Sequence, residues 1–120
     1  MQQSPHPLLA HERLDAYGVA VALAEQAHAL SRQLPRSKGQ LGDQLSRASE
    51  SIMLCIAEGS GVAWHSAEQK RYFRAARASA LECAAILDVC RIRGIGKNEQ
   101  RGGAKQLVIR LVQMLSKLCR

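Results

Sequence analysis

Apolar residues recur every three or four positions in four blocks of the chain, a period that belongs to helices. Leu14, Tyr17, Val21, Ala24 and His28 make the first stripe, and the spacing predicts a helix over residues 8–34. Pro35 ends it, because proline disfavours helical geometry in the residue before it. Leu41, Leu45, Ala48, Ile52, Cys55 or Ile56, and Gly59 make the second stripe and predict a helix over 37–58. Gly59-Ser60-Gly61 would stop that helix with left-handed or flexible backbone. Ser66 and Gln69 form a capping box for a third helix over 66–93, with Phe73, Ala76, Ala80, Cys83, Leu87 and Cys90 inward. Gly94-Ile95-Gly96 breaks the pattern. Asn98 is placed to cap a fourth helix over 98–118, whose stripe is Leu107, Val108, Leu111, Leu115 and Leu118.

Four helices joined by short loops marked by Gly or Pro predict an all-α, antiparallel, up-down-up-down four-helix bundle, one domain over residues 1–120. A chain of 120 residues buries roughly two-thirds of its unfolded surface, enough for a core without staples. Aromatics are few: one Trp, two Tyr and one Phe. Small residues on the second and third helices leave room for close backbone approach.

No apolar run reaches the ~20 residues of a membrane-spanning helix. MQQSPHPLL lacks the basic start and apolar stretch of a signal peptide, so a cytoplasmic location without membrane contact is expected. Cys55, Cys83, Cys90 and Cys119 form no CxxC pair and are expected as reduced, mostly buried thiols. Cys83 and Cys90, a heptad apart, lie ~10 Å apart along a helix, too far to chelate one ion. No metal or other cofactor is expected.

The net charge of +7 is unevenly placed. Residues 1–62 hold five basic and six acidic side chains, and residues 63–120 hold twelve basic against four acidic. That distribution predicts a polyanion or an acidic protein as partner. Lys70, Arg74 and Arg77 fall at i, i+4, i+7 beside the third helix's core stripe, with Arg71 adjacent. Arg110 and Lys117 are a heptad apart on the fourth helix, with Arg101 and Lys105 ahead of them. These eight are the candidate nucleic-acid contacts, for RNA or DNA; a solvated surface is the alternative. With Trp64 and Tyr72 as the exposed aromatics, recognition would be led by the backbone and tolerant of sequence.

Two motifs carry a likeness. QLSRASESIMLCIAEGSG supplies Gln44, Leu45, Arg47, Ala48, Ser51, Ile52, Ile56, Ala57, Glu58 and Gly59; RYFRAARASALE supplies Phe73, Ala76, Ser79 and Glu82. Together they resemble the signature of the four helix bundle protein family, also called ribosomal-RNA intervening-sequence proteins. Cys55 stands where that family usually has Asn, and Ala78 where it has Gly. The resemblance implies a four-helix bundle and a ring-shaped homo-oligomer, a pentamer. It also implies kinship with the accessory variability determinant of diversity-generating retroelements, which binds a reverse transcriptase and nucleic acid through a basic ring. Leu23, Leu30, Met53, Leu54 and Ile109, left outside the stripes, are expected as apolar surface for self-association.

Glu58 and Glu82 could form an acid/base pair or a metal clamp. No nucleophile or base is placed with either, so a structural role is expected, with Arg47 pairing to one of them at a helix or subunit contact. Ser51, Gly59 and Ser79 complete this structural or interface set, Ser51 as a small residue at a tight contact. His28 is expected in the core or an interface, and Trp64 as a protein anchor or as packing over the bundle end. The function expected is a non-enzymatic, oligomeric, nucleic-acid-binding bundle. A protein-binding scaffold or accessory subunit without nucleic-acid contact is the alternative.

Overall fold

Leu14 is extended (φ −87°, ψ 127°) and divides the first predicted helix in two. In the computed structural model, which describes residues 8–34 and 40–120, a 3₁₀ turn at Ala10–Arg13 precedes α1, Asp15–Gln33. Leu34 leaves the helix with φ −81° and ψ 129°, the geometry expected before proline. Pro35 itself and the predicted start of the second helix at residue 37 lie outside the described residues. Three more helices follow: α2 at Leu41–Ser60, α3 at Ala67–Ile92 and α4 at Asn98–Leu118, with no strand among the described residues. Each helix packs on its neighbours in the chain, and α1 also packs on α4.

One core lies between them. Leu23 and Leu30 enter from α1, Leu45, Ile52 and Ile56 from α2, Phe73 and Leu87 from α3, and Val108, Leu111 and Leu115 from α4, all buried. Each such side chain contributes about 1.5–3 kcal/mol by leaving water. The stripes expected for α2, α3 and α4 are the ones that turn inward, although Leu41, Leu107 and Leu118 are only half-buried.

On α1 the stripe is different. Ala16, Val19, Ala20, Leu23, Ala27 and Leu30 are buried, whereas Leu14, Tyr17, Val21 and Ala24 are half-buried and His28 is exposed. The helix is rotated so that its two leucines fill the core, because burying Leu23 and Leu30 removes more apolar surface than burying Tyr17 and His28. His28 is therefore a surface residue, and Leu23 and Leu30 are unavailable for self-association.

Gly59 does not stop α2. The helix runs through Glu58, Gly59 and Ser60, and Gly61 follows with φ −87°, outside the left-handed region. A Cβ on Gly59 would lie 2.9 Å from both a Phe73 ring carbon and Tyr72 Cβ. The glycine is there to let α3 come close. Among the described residues, the left-handed ones are His65 (φ 66°), Gly94 (φ 69°) and Gly96 (φ 79°). Asn98 is not the cap of α4 either: Lys97 occupies that position without a side-chain bond, and Asn98 Oδ1 instead accepts from Arg101.

Candidate nucleic-acid interface

The basic residues of α3 divide between its two flanks. Arg77 turns toward α4, where its Nη1 donates to Ser116 Oγ at 3.4 Å. Lys70 and Arg74 follow Arg77 by helical spacing, and Arg74 is exposed. Arg71 faces the other way, into a groove against α2 that it shares with Cys55, Glu68, Tyr72 and Ala75.

The basic residues of α4 are divided further. Lys105 Nζ donates to Asp88 Oδ1 at 2.5 Å, across the α3–α4 seam. That bond, with the charges of Lys105 and Arg91, holds the Asp88 carboxyl below its ordinary range. Arg101 is committed to backbone, its Nη1 donating to Ile95 O at 2.6 Å and Gly96 O at 2.5 Å. Arg110 lies across a cleft of about 600 Å³ between α1 and α4 that Glu12 and Asp15 also line. Lys117 lines a second opening, again with Asp15. The eight candidates thus do not make one patch. Lys70, Arg74 and Arg77 stay together without an acidic partner, and the single ion pair among the described residues is Lys105–Asp88.

Two residues of the sequence motifs do meet: Ser51 Oγ and Ser79 Oγ are 3.1 Å apart across the α2–α3 seam. One turn along α2, Cys55 is half-buried. Burial pushes its thiol above the ordinary range, a hydrogen bond with Ser51 opposes that, and the Glu58 charge adds to it. Burial also pushes the Cys83 thiol up to about 12, and all four cysteines are free. Neither thiol is set up as a nucleophile, which needs a lowered pKa. Arg47, Glu58 and Glu82 are exposed, so no buried carboxylate pair is assembled. Arg47, Ser51, Leu54 and Glu58 share one helical stripe of α2, and Leu54 there is 62% exposed.

Two residues organise the loops in roles that the sequence does not assign them: Gln69 appears there only as half of a capping box, and Arg101 only as a candidate phosphate contact. Gln69 is 1% exposed; its Oε1 accepts from His65 N at 2.9 Å and its Nε2 donates to Gly59 O at 3.1 Å. The expected capping box is half present, since Ser66 Oγ accepts from Gln69 N at 3.0 Å while the Gln69 side chain reaches one residue further back. Its position on the 69/73/76/80 core stripe was the available signal. Arg101 performs the equivalent task for the α3–α4 turn, and its one signal was its closeness to the Gly94–Gly96 pair. Trp64 stands half-exposed on the α2–α3 turn, edge-on to His65.

No helix of the described residues is long and apolar enough to cross a membrane. No curated protein matches the chain. The family model described as 23S rRNA-intervening sequence protein matches residues 12–117, a span that holds both motifs and all four helices but for the last residue of α4. On the strength of that span, the chain belongs to the 23S rRNA-intervening sequence protein family.

Proposed function

We propose that this is a non-enzymatic, oligomeric bundle of antiparallel up-down-up-down helices that binds nucleic acid through basic residues of α3 and α4. The observation that carries this reading is the set Lys70, Arg74 and Arg77, which share one flank of α3 by helical spacing without an acidic partner among the described residues, in a chain of net charge +7. A family description that names 23S rRNA supports RNA as the polymer, and a cytoplasmic location goes with it. The antiparallel arrangement is supported by paired contacts: Arg77 meets Ser116 and Asp88 meets Lys105, while Gly59 meets Phe73 and Ser51 meets Ser79. No cofactor is part of the reading.

The oligomer is supported by the α2 stripe, on which an exposed Leu54 lies between Arg47 and Glu58. Opposite charges flanking an apolar residue suit a contact with a second copy, Arg47 of one chain against Glu58 or Glu82 of the next. A ring of five is expected, with light scattering giving about five times the chain mass.

The test of function is fluorescence anisotropy with labelled RNA and DNA hairpins and single strands at two salt concentrations. Binding should weaken steeply with salt, because each phosphate contact releases counterions. Arg74→Glu/Arg77→Glu should lower the affinity at least tenfold. Absence of binding to all four probes at low salt overturns the reading, and the basic surface then belongs to a protein partner, to be sought by pull-down after nuclease treatment.

A further inference from the structure

From the end of α3 through the turn that follows, residues 91–97 read RIRGIGK, and none of the three cations there is among the eight candidates of α3 and α4. Arg91, Arg93 and Lys97 are all exposed, and none forms an ion pair among the described residues. Arg93 keeps helical dihedrals (φ −84°, ψ −2°), so residues 91, 92 and 93 fan out about 100° apart. Ile92 sits in the middle of that fan at 73% exposure, the largest value for a big apolar side chain here.

The turn beneath is rigidly built. Ile95 is buried, and its N–H donates to Cys90 O at 2.8 Å. Gly94 and Gly96 take the left-handed backbone that glycine alone adopts without strain, and a Cβ on Gly96 would meet Leu30 Cδ1 at 2.8 Å. Arg101 closes the turn from below through the carbonyls of Ile95 and Gly96 and through Asn98. A cleft of about 170 Å³ along the α3–α4 seam is lined by Arg91, Arg101 and Lys105 together with Asp88. The acids nearby are Asp88, already held by Lys105, and the exposed Glu99.

We propose that this turn is the molecule's principal contact with nucleic acid, Arg91, Arg93 and Lys97 holding the phosphodiester backbone on either side of Ile92. The proposal rests on the nucleic-acid reading above and names the part of the basic surface that does most of the binding. Three cations within seven residues on fixed backbone face a repeating anion, so the ordering cost of binding is confined to their side chains. The α3 set, by contrast, stands on one helix flank with Arg77 partly engaged by Ser116. A lone exposed isoleucine is too small an anchor for a lipid surface, and it suits contact with sugar and base edges beside the phosphates.

Anisotropy titrations with an RNA hairpin and a DNA hairpin of the same sequence test this on Arg91→Glu/Arg93→Glu/Lys97→Glu. Affinity should fall at least tenfold, and the slope of log K against log salt should become shallower by about two to three, at about 0.9 per lost phosphate contact. The neutral triple variant to Gln should lose less affinity but shift the slope in the same direction. In ¹⁵N-labelled protein, the Gly94 and Gly96 amides should shift on addition of substoichiometric hairpin. Equal loss with both hairpins identifies phosphate alone as the ligand, and a larger loss with RNA identifies A-form geometry as well. If wild type binds while the triple Glu variant stays within twofold of it and Arg74→Glu/Arg77→Glu collapses, this inference is overturned and the broader reading stands. If wild type binds neither hairpin, both fail together.

Discussion

The two described turns, residues 61–66 and 93–97, are each held by one side chain reaching back from the helix that follows, and the two side chains are chemically unlike. Around Gln69 the groups to be satisfied are a donor, His65 N–H, and an acceptor, Gly59 C=O, in a buried setting. A side-chain amide offers both functions without charge, and a buried charge there would carry a large desolvation cost. Around Arg101 the groups are three acceptors, the carbonyls of Ile95 and Gly96 and Oδ1 of Asn98. A guanidinium supplies donors only, in a fixed fork, and its half-exposed position keeps the charge hydrated. The polarity of the orphaned backbone groups, with the depth of the site, selects the residue. The choice then marks the outside: the neutral turn displays Trp64, and the charged turn joins the basic end of the molecule.

Gln69→Ala should be the most damaging change. It leaves the buried Gly59 C=O and the part-buried His65 N–H without partners, at a cost of about 3 kcal/mol, read as a lower urea midpoint with an unchanged m-value. Arg101→Ala should cost about 1.5 kcal/mol, because water can reach the carbonyls it abandons; amide exchange should accelerate at residues 94–97 while the α2–α3 turn stays protected. Equal costs for the two would break the contrast drawn above. A smaller effect of opposite sign is expected for His65→Gly. Relief of a non-glycine residue at φ 66° should outweigh the glycine's greater unfolded freedom and stabilise by about 0.5 kcal/mol, visible as a higher midpoint.

Stability should also decline as pH rises from about 9 toward 12. The unfolded chain loses the Cys83 proton near the ordinary thiol value of 9.0, whereas the folded protein holds it to about 12. The folded state therefore binds more protons in that window, and stability falls as pH rises. Cys83→Ala should make the decline shallower in pH-dependent unfolding curves.

Much of the fold was legible because α2, α3 and α4 each have one apolar stripe. On α1 alanine and valine are spread around the helix, so two stripes compete, and only packing against the other helices selects the one with Leu23 and Leu30. In sequence Gly59 reads as a breaker, yet it also falls on the α2 core stripe; the ring of Phe73 that requires it comes from another helix and has no signature in local sequence. The candidate interface was less legible. Spacing placed Lys70, Arg74 and Arg77 together, but it could not show that Asp88 engages Lys105 or that Arg101 is drawn into backbone carbonyls. Ser51 and Ser79 both stand in the sequence motifs, and their contact emerges only when α2 and α3 align.

The close fit of Gly59 against Phe73 has a consequence for the order of folding. It joins residues 14 positions apart in the chain, and Gln69 reinforces the same hairpin over ten residues or fewer. The α1–α4 contact, by contrast, joins the two ends of the described fold and borders an open cleft of about 600 Å³. Because loops that close over short separations forfeit less entropy, α2 and α3 should pair first and form the nucleus, with α1 docking late. Conservative truncations such as Ile56→Val should then slow folding, giving φ-values above about 0.5, and Leu23→Ala should chiefly accelerate unfolding.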